Sequence, residues 1–559
     1  MFGSFRLTMT WLHTWFGLVL GFVLVVVFFF GSLSVFDREI DRWAIPETRF
    51  EAQPMPSFDA MLRPLFEKIE PDPEELASAS ARLGAPLPAN LRLMNWSAYT
   101  THRDPVLSLY AEYAVPNAND PDDHVHGHVT IDPRNGQLLF DDRLAIGSAF
   151  FYPLHISLHL TWANLGYWIV GIAALTMLVL LLSGVVIHKK LLREFFTFRP
   201  QKRGQRSTLD LHNLTGVVAL PFHVMFPLTG LIIFGSVFFP VSQTALKSLA
   251  DKHELLEARA KGLAHRPSGV KAPLASVDAM VVEAKRRWAL RDMPGEVGYL
   301  AVTHVTDSNG YVSIHRAGSD RVTLVGQAVH FEAATGRVIY EEPPPSVVSG
   351  IAEFLTGLHL QHFKHWLLRW LYVFGGLSGC ICIATGLVFF VGKRKRRHAA
   401  QGIHGARWVD ALTVTSVTGT VLATLAILVA NRSLPLHVEQ RGAWEERLFW
   451  FSWVLAFTHA AVRSAPVQQA RIAPAWREQC YAIAALAVAA VLLNWVTTGD
   501  HLARTVSRGY WPVAGFDLVL LGVAALALIA TSRLRQREAG DDDESPPDSD
   551  PAVEEVMHG

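Results

Sequence analysis

The sequence predicts a mainly α-helical membrane protein with about eight transmembrane helices and two small α+β domains outside the cytosol. Half of its 559 residues are hydrophobic, and apolar windows of the ~20 residues needed to cross a bilayer recur along the chain. Two polar stretches, 37–143 and 247–351, separate the first four windows, and each is long enough for one small domain. This composition excludes a soluble multidomain protein.

The charge-poor windows predict the spans in chain order. The sixth window is short for a bilayer and the eighth contains Asp517, whereas the others meet the length requirement. The windows are residues 7–36, 144–188, 211–246, 371–392, 411–431, 448–462, 479–499 and 509–532.

These windows divide the chain into segments. The first four spans form one bundle, the last four an appended bundle, and the acidic, Pro-rich end is predicted to be disordered. The segments are span one (1–36), exported domain one (37–143), span two (144–190), a cytosolic basic loop (191–209), span three (210–246), exported domain two (247–351), span four (352–397), the appended bundle (398–537) and the tail (538–559).

Basic residues set the predicted orientation, because Lys and Arg in short loops stay in the cytoplasm. The loop after span two and the loop after span four are both rich in them. Both loops are therefore predicted to be cytosolic, which places both termini inside and both domains outside. The residues concerned are Lys189, Lys190, Arg193, Arg199, Lys202, Arg203 and Arg206, then Lys393, Arg394, Lys395, Arg396 and Arg397.

The chain repeats a unit of span, exported domain and span. Leu-His-x-x-x-Gly opens spans one and three at His13 and His212, and Leu-His opens spans two and four at His155 and His359. Each exported domain has a helical stretch (57–69; 276–286) and ends in a strand, a tight turn and a second strand, with Gly136 or Gly336 supplying the positive φ of the turn. The pattern predicts two copies of one small α+β module.

Histidines in membrane helices are costly and serve a ligand, a proton or a cofactor when they face the bundle interior. His155 and His159 are four residues apart and are predicted to share a helix face with room for one haem near the outer surface, together with His359. A second group could hold another haem nearer the cytosol. Its candidates are His13, His188, His212 and His223. The chain has no Cys-x-x-Cys-His motif, so the haem would be b-type.

Two other interpretations of these histidines stay open. Histidines at helix ends also cap carbonyl groups or lie among lipid head groups, in which case they serve packing alone. Clustered histidines also bind Zn²⁺ or Cu²⁺, as in a metal transporter, although acidic and Met partners are nearly absent from the spans. The run His124-Val-His126-Gly-His128 outside the membrane is a possible adventitious metal site, and alternation along an exposed strand explains it about as well.

Taken together, these motifs resemble the iron-regulated inner-membrane proteins built from PepSY-associated transmembrane helices. The resemblance covers about residues 1–397. It rests on Leu12-His13-Thr-Trp-Phe-Gly17, Leu154-His155-Ile-Ser-Leu-His159 with Gly171 and Ser183-Gly184, Phe195-Phe-Thr-Phe-Arg199, Leu211-His212-Asn213 with Pro221-Phe-His223 and Thr229-Gly230, and Leu358-His359 with Thr385-Gly386-Leu387.

The resemblance implies a function as well as a fold. Members of this family include ferric-siderophore reductases, whose four-helix bundle binds two b haems and passes electrons to ferric chelates in the periplasm. It implies haem binding by His13, His155, His159, His212, His223 and His359, with His188 fitting by position and His362 an addition. Some relatives carry a fused flavin and nicotinamide domain, but this sequence has no Gly-rich phosphate-binding motif after a strand, so electrons would need a separate donor, either a cytosolic reductase or a quinone.

The sequence therefore predicts a di-haem electron-transfer protein of the bacterial inner membrane, an oxidoreductase of the ferric-chelate reductase type. Its acceptor would be a ferric siderophore or another iron chelate, its surroundings membrane lipid, and no nucleic acid is involved. No catalytic acid, base or nucleophile is required, because the chemistry belongs to the cofactor. The alternatives are a PepSY-type binding or regulatory protein without redox activity, and a transporter of metal or siderophore.

Overall fold

A computed structural model describes residues 5–88, 91–100, 103–116, 123–139, 143–187, 204–238, 245–324, 327–401, 406–464 and 473–543. The helices are α1 (Phe5–Ser34), α2 (Asp37–Ala44), α3 (Arg63–Phe66), α4 (Pro73–Leu83), α5 (Tyr152–Ser157), α6 (Leu165–Ile187), α7 (Gly204–Val218), α8 (Leu220–Ile233), α9 (Gly235–Phe238), α10 (Lys247–Ala260), α11 (Val277–Leu290), α12 (Val347–Leu360), α13 (Trp366–Ala400), α14 (Ala406–Val414), α15 (Thr420–Ser433), α16 (Arg441–Arg463), α17 (Pro474–Thr498), α18 (Leu502–Ser507) and α19 (Trp511–Asp543). The strands are β1 (Arg92–Tyr99), β2 (Leu107–Ala114), β3 (His124–Ile131), β4 (Val297–Thr303), β5 (Tyr311–Arg316), β6 (Ala328–Glu332) and β7 (Val338–Glu341).

The chain is a multi-pass membrane protein with fewer qualifying spans than predicted. Within the described residues, 6 helices are long and apolar enough to cross a bilayer, and 7 if the bent pair α7 and α8 counts as one span. The predicted sixth span is the helix α16, but its first two turns carry Arg441, Glu445, Glu446 and Arg447. Most of the predicted basic loop and the tail from residue 544 lie outside the described residues, and α19 continues to Asp543, into the segment predicted to be disordered.

The first four spans pack as one bundle around α1, which contacts both α6 and α13. Span three is bent by 64° between α7 and α8, where Pro221 has no N–H to continue the helical ladder. The bend lets α7 pack on α13 while α8 packs on α6. One span therefore contributes side chains to both ends of the bundle.

The outer histidines do not open the long spans, as the sequence predicted, but lie on short helices before them. The helix α5 ends at Ser157, and Leu158 and His159 take left-handed conformations with φ of 52° and 55°. The helix α12 ends at Leu360 in the same way, with Gln361 at φ 56°. The prediction that His155 and His159 share one helix face is therefore wrong, because the helix ends between them.

The two modules predicted to be exported form a single antiparallel sheet rather than two separate domains. The strand order is β3-β2-β1-β4-β5-β6-β7, and β1 of the first module pairs with β4 of the second. Pairing these two strands removes an exposed edge from each module. One hydrophobic core, containing Trp96, Val125, Trp288 and Phe331, serves both.

A reciprocal cap joins the modules on the helical side of this sheet. Ser57 opens one helical segment and Ser276 opens α11. Ser57 Oγ donates to Asp278 at 2.5 Å, and Ser276 Oγ donates to Asp59 at 2.7 Å. Each aspartate also accepts backbone N–H groups of the other segment, so each helix start is capped by its repeat. The predicted turn glycines, Gly136 and Gly336, have φ of 72° and 73°, as expected.

The appended bundle holds the segment that follows span one. Asp517 of α19 accepts a hydrogen bond from Trp43 Nε1 at 2.8 Å. Arg49 donates to Asn494 Oδ1 at 2.8 Å and to Asp500 at 2.9 Å. A buried charge within a span needs partners of this kind, so Asp517 attaches the appended bundle to α2.

Candidate functional site

Two repeat-related histidines meet at one end of the four-helix bundle. His13 of α1 and His212 of α7, here called the inner pair, have ring centroids 6.2 Å apart and ring planes at 84°. His13 Nδ1 lies 3.1 Å from the Leu180 carbonyl, and His212 Nδ1 lies 2.7 Å from the Cys382 carbonyl. Each ring is thus oriented by a backbone acceptor on a neighbouring span.

The second pair, His155 and His359, here called the outer pair, lies at the end of the bundle nearest the seven-stranded sheet. The ring centroids are 6.1 Å apart and the planes differ by 22°. His155 Nδ1 donates to the Val27 carbonyl at 2.9 Å. His359 Nδ1 donates to Thr229 Oγ1 at 2.8 Å, since the Thr229 hydroxyl proton is directed to the Met225 carbonyl at 2.6 Å.

Each of the four imidazoles lies against a glycine of another helix. The Nδ1 atoms of His13, His155 and His212 bond the carbonyl four residues before that glycine, and His359 faces the Phe226 carbonyl in the same relation. An added Cβ would lie 2.8 Å from His155 at Gly31, 3.1 Å from His359 at Gly230, 3.2 Å from His212 at Gly386 and 3.5 Å from His13 at Gly184. The glycines create the space that the rings occupy.

The geometry of both pairs fits a metal held between two imidazoles. Two metal–nitrogen bonds of about 2 Å, plus the half-widths of two rings, give a centroid separation of roughly 6 Å. Metal-binding histidines almost always direct their second ring nitrogen to a carbonyl or similar acceptor, which fixes the tautomer. The 6.1 and 6.2 Å separations and the bonded Nδ1 atoms match this pattern.

A cavity of about 260 Å³ adjoins the outer pair. Its walls are largely apolar, and Gly31, Gly230 and Gly376 line it without side chains. Arg38 and Arg103 line it too. A flat apolar group bearing a few charges fits such a space.

His223 lies in the bundle core between the two pairs. It is fully buried, and its ring faces the Gly375 carbonyl. Its ring meets Phe28 edge-on at 6.1 Å, and Nε2 would lie 3.3 Å from a Cβ at Gly379. Gly379 is about 10 Å along α13 from Gly386, at ~1.5 Å per residue. An imidazole buried within a membrane bundle is uncommon, so His223 remains a candidate site residue.

The other predicted ligands lie elsewhere. His159 Nε2 donates to the Phe150 carbonyl at 2.9 Å and its ring meets Trp450 of the appended bundle at 6.3 Å. The structure therefore does not bring His159 to the outer pair. His188 lies outside the described residues. His362, which the family resemblance included only as an extra histidine, lines the outer cavity.

The described histidines of the seven-stranded sheet lie apart from the two pairs and have other partners. Across the residues that the structure describes, no group of three or more His, Cys, Asp or Glu side chains could hold a metal ion. In the sheet, His126 pairs with Glu75 at 3.0 Å, and His128 lies against Tyr110. The His315 ring lies beside His330. Burial lowers the pKa of His315 to about 4, and His330 reinforces this shift, whereas Glu342 raises the pKa and Lys261 lowers it.

Sequence reasoning missed the glycines and arginines of the site. The dipeptides Ser183-Gly184, Thr229-Gly230 and Thr385-Gly386 carried a signal, because a Ser-Gly or Thr-Gly step recurs where three of the four histidines contact a neighbouring helix. Gly31 follows Phe30 and has no such signal. Arg38 and Arg103 are distant in sequence from every histidine ligand, so no spacing argument could place them at the cavity.

Comparison with known proteins gives two findings. A family model described as the PepSY-associated TM region matches residues 10–393. An uncharacterized protein of Pseudomonas aeruginosa is 26% identical over 380 residues, which cover 65% of this chain and 89% of that protein. The family match includes both histidine pairs and the whole sheet, and it ends before the appended bundle.

Proposed function

The chain belongs to the family of membrane proteins with a PepSY-associated transmembrane region, and on this basis we propose that it is a b-type di-haem electron-transfer protein. It would lie in the bacterial inner membrane with both termini in the cytosol and would reduce a periplasmic acceptor, a ferric siderophore or a similar iron chelate. The proposal is carried by the geometry of the two histidine pairs. Their ring centroids lie 6.1 and 6.2 Å apart, and the Nδ1 atoms of all four rings have hydrogen-bond partners.

In this proposal His155 and His359 hold the outer haem, and His13 and His212 hold the inner one. Bound haem iron would supply reversible one-electron chemistry. The protein's part is to hold four rings in one tautomer, which the carbonyls of Val27, Leu180 and Cys382 support. The apolar walls of the outer cavity would exclude water from the site.

The bundle geometry suits transfer across the membrane. His13 and Gly31, which mark the two pairs on α1, are 18 residues apart, or about 27 Å along the helix axis. His223, Phe28 and Phe226 fill part of the space between them. Two sites at opposite ends of one bundle could pass electrons from a cytosolic or membrane donor to an exported acceptor, and the basic loops support the outward direction.

The test is the absorption spectrum of the purified protein and of single variants. The parent protein should be coloured, with a b-type spectrum that sharpens on addition of dithionite. His359→Ala should remove one haem or change its spin state while the other persists, and His13→Ala should do the same for the second haem. His159→Ala is the matched control, because His159 directly follows the helix of His155 but bonds the Phe150 carbonyl and lies against Trp450 of the appended bundle.

Each outcome is decisive. Colourless protein from haem-replete cells would reject the di-haem proposal in favour of a binding protein or a transporter. Full haem content and unchanged spectra in both His359→Ala and His13→Ala would show that these histidines serve packing alone. Loss of a haem in His159→Ala but not in His359→Ala would show that the ligand pairs are assigned wrongly.

A further inference from the structure

Two arginines line the end of the outer cavity that lies nearest the exported sheet. Arg38 comes from α2, directly after span one, and Arg103 from the segment before β2. Among the described residues that line this cavity, they are the only Lys or Arg side chains. The rest of the wall is largely apolar, with residues such as Leu24, Val27 and Phe226.

The two arginines share one acidic partner, Asp37, which also lines the cavity. Arg38 Nη1 pairs with Asp104 at 2.9 Å, and Arg103 Nη2 pairs with Asp37 Oδ1 at 3.1 Å. Asp37 also lies 3.5 Å from Arg38 Nε, so one carboxylate serves both guanidinium groups. The side chains of Arg103 and Asp37 are only 8% and 14% exposed. Guanidinium groups in such surroundings bind carboxylates strongly and with defined geometry.

We infer that Arg38 and Arg103 bind the two propionate carboxylates of the outer haem, so that its charged edge points to the exported sheet. This inference rests on the proposed function. A haem b carries two carboxylates, and placing either against the apolar wall would bury an unpaired charge. The arginines mark the end of the cavity where those carboxylates can be neutralised.

Asp37 is then a competitor for the same guanidinium groups. A propionate that reaches Arg103 takes the position of the Asp37 carboxylate, and Asp37 itself lines the cavity. Removing its charge should leave both arginines more available. Because Arg103 precedes β2 of the exported sheet, the same contact would connect the sheet to the haem edge.

The experiment titrates haem-free protein with haem b and with haem b dimethyl ester, whose propionates are uncharged. His212→Ala is used as the background so that the outer site titrates alone. The parent site should bind haem b at least about tenfold more tightly than the ester. Arg38→Gln with Arg103→Gln should abolish most of that preference, and Asp37→Asn should increase haem affinity.

Arg143→Gln is the matched control, since Arg143 is a buried, ion-paired arginine whose partner is Glu47 and which does not line the cavity. It should leave the preference unchanged. Absence of haem binding by the parent protein would reject the proposed function rather than the arginine assignment. Equal binding of haem b and its ester by the parent overturns the assignment without any variant. Arginine variants that keep the preference but lose ferric-chelate reduction would assign the arginines to the acceptor instead, and that also overturns it.

Discussion

Gly31 should be the most sensitive of the four glycines on which the histidines dock. In Gly31→Ala the new Cβ would lie 2.8 Å from Cε1 and Nδ1 of His155, whereas carbon atoms in contact stay about 3.5–4.0 Å apart. The ring must therefore move by roughly 0.7 Å or more. Val27 lies one turn before Gly31 on α1, so moving the ring off this helix also lengthens the 2.9 Å bond to its carbonyl beyond hydrogen-bond range.

Losing a buried hydrogen bond of this kind costs about 1–3 kcal/mol, which corresponds to a loss of roughly 5- to 150-fold in the affinity of the outer site for haem. The structure supplies its own control, because in Gly184→Ala the new Cβ would lie at an ordinary 3.5 Å from His13. Gly230→Ala and Gly386→Ala, at 3.1 and 3.2 Å, should fall between the two. Under the proposed di-haem function, we expect haem content to fall by up to one haem per protein in Gly31→Ala and to stay full in Gly184→Ala.

The assay is haem per protein after purification, together with the absorption and electron paramagnetic resonance spectra of the oxidised protein. A loosened outer pair should lose its low-spin signal first. If Gly184→Ala is as damaging as Gly31→Ala, or if both leave haem content and spectra intact, contact with the glycines does not set the positions of the histidine rings. A result of that kind would leave the histidine assignments themselves to be decided by the His→Ala variants.

Three further predictions follow from other parts of the molecule. Asp59→Ala should destabilise the seven-stranded sheet by about 1–2 kcal/mol. Adding Asp278→Ala should lower the free energy of unfolding by less than that amount again, as measured by hydrogen exchange in α11. Burial lowers the pKa of His315, so this side chain stays neutral in the folded protein. The free energy of unfolding should therefore fall as pH drops from about 6.5 to 4, by at most ~1.4 kcal/mol per pH unit. His315→Gln should make the thermal-unfolding temperature less dependent on pH over this range. Reporter fusions should give a cytosolic signal after Arg397 and a periplasmic one at Ser319, and the reverse would contradict the orientation.

The sequence did not predict the long-range contacts between the two modules of the seven-stranded sheet. The repeat correctly indicated a helix and strands in each module, and the turn glycines at Gly136 and Gly336. The pairing of β1 with β4 was not foreseen, because both strands are complete in their own modules and strand edges carry no local signal of a partner. The cross-caps by Asp59 and Asp278 join positions more than two hundred residues apart, and only the folded sheet brings them together.

The sequence by itself determined the membrane class, the repeat and four of the histidines at the site, because hydropathy and motif spacing are local properties of the chain. It placed His13 with His212 and His155 with His359 on opposite sides of the bundle, as the structure does. Only the tertiary structure decided that His159 turns away, since the break after Ser157 depends on how α5 packs against its neighbours. It also decided which glycines receive the rings and which arginines close the cavity, because these contacts join separate helices whose relative register no single segment encodes.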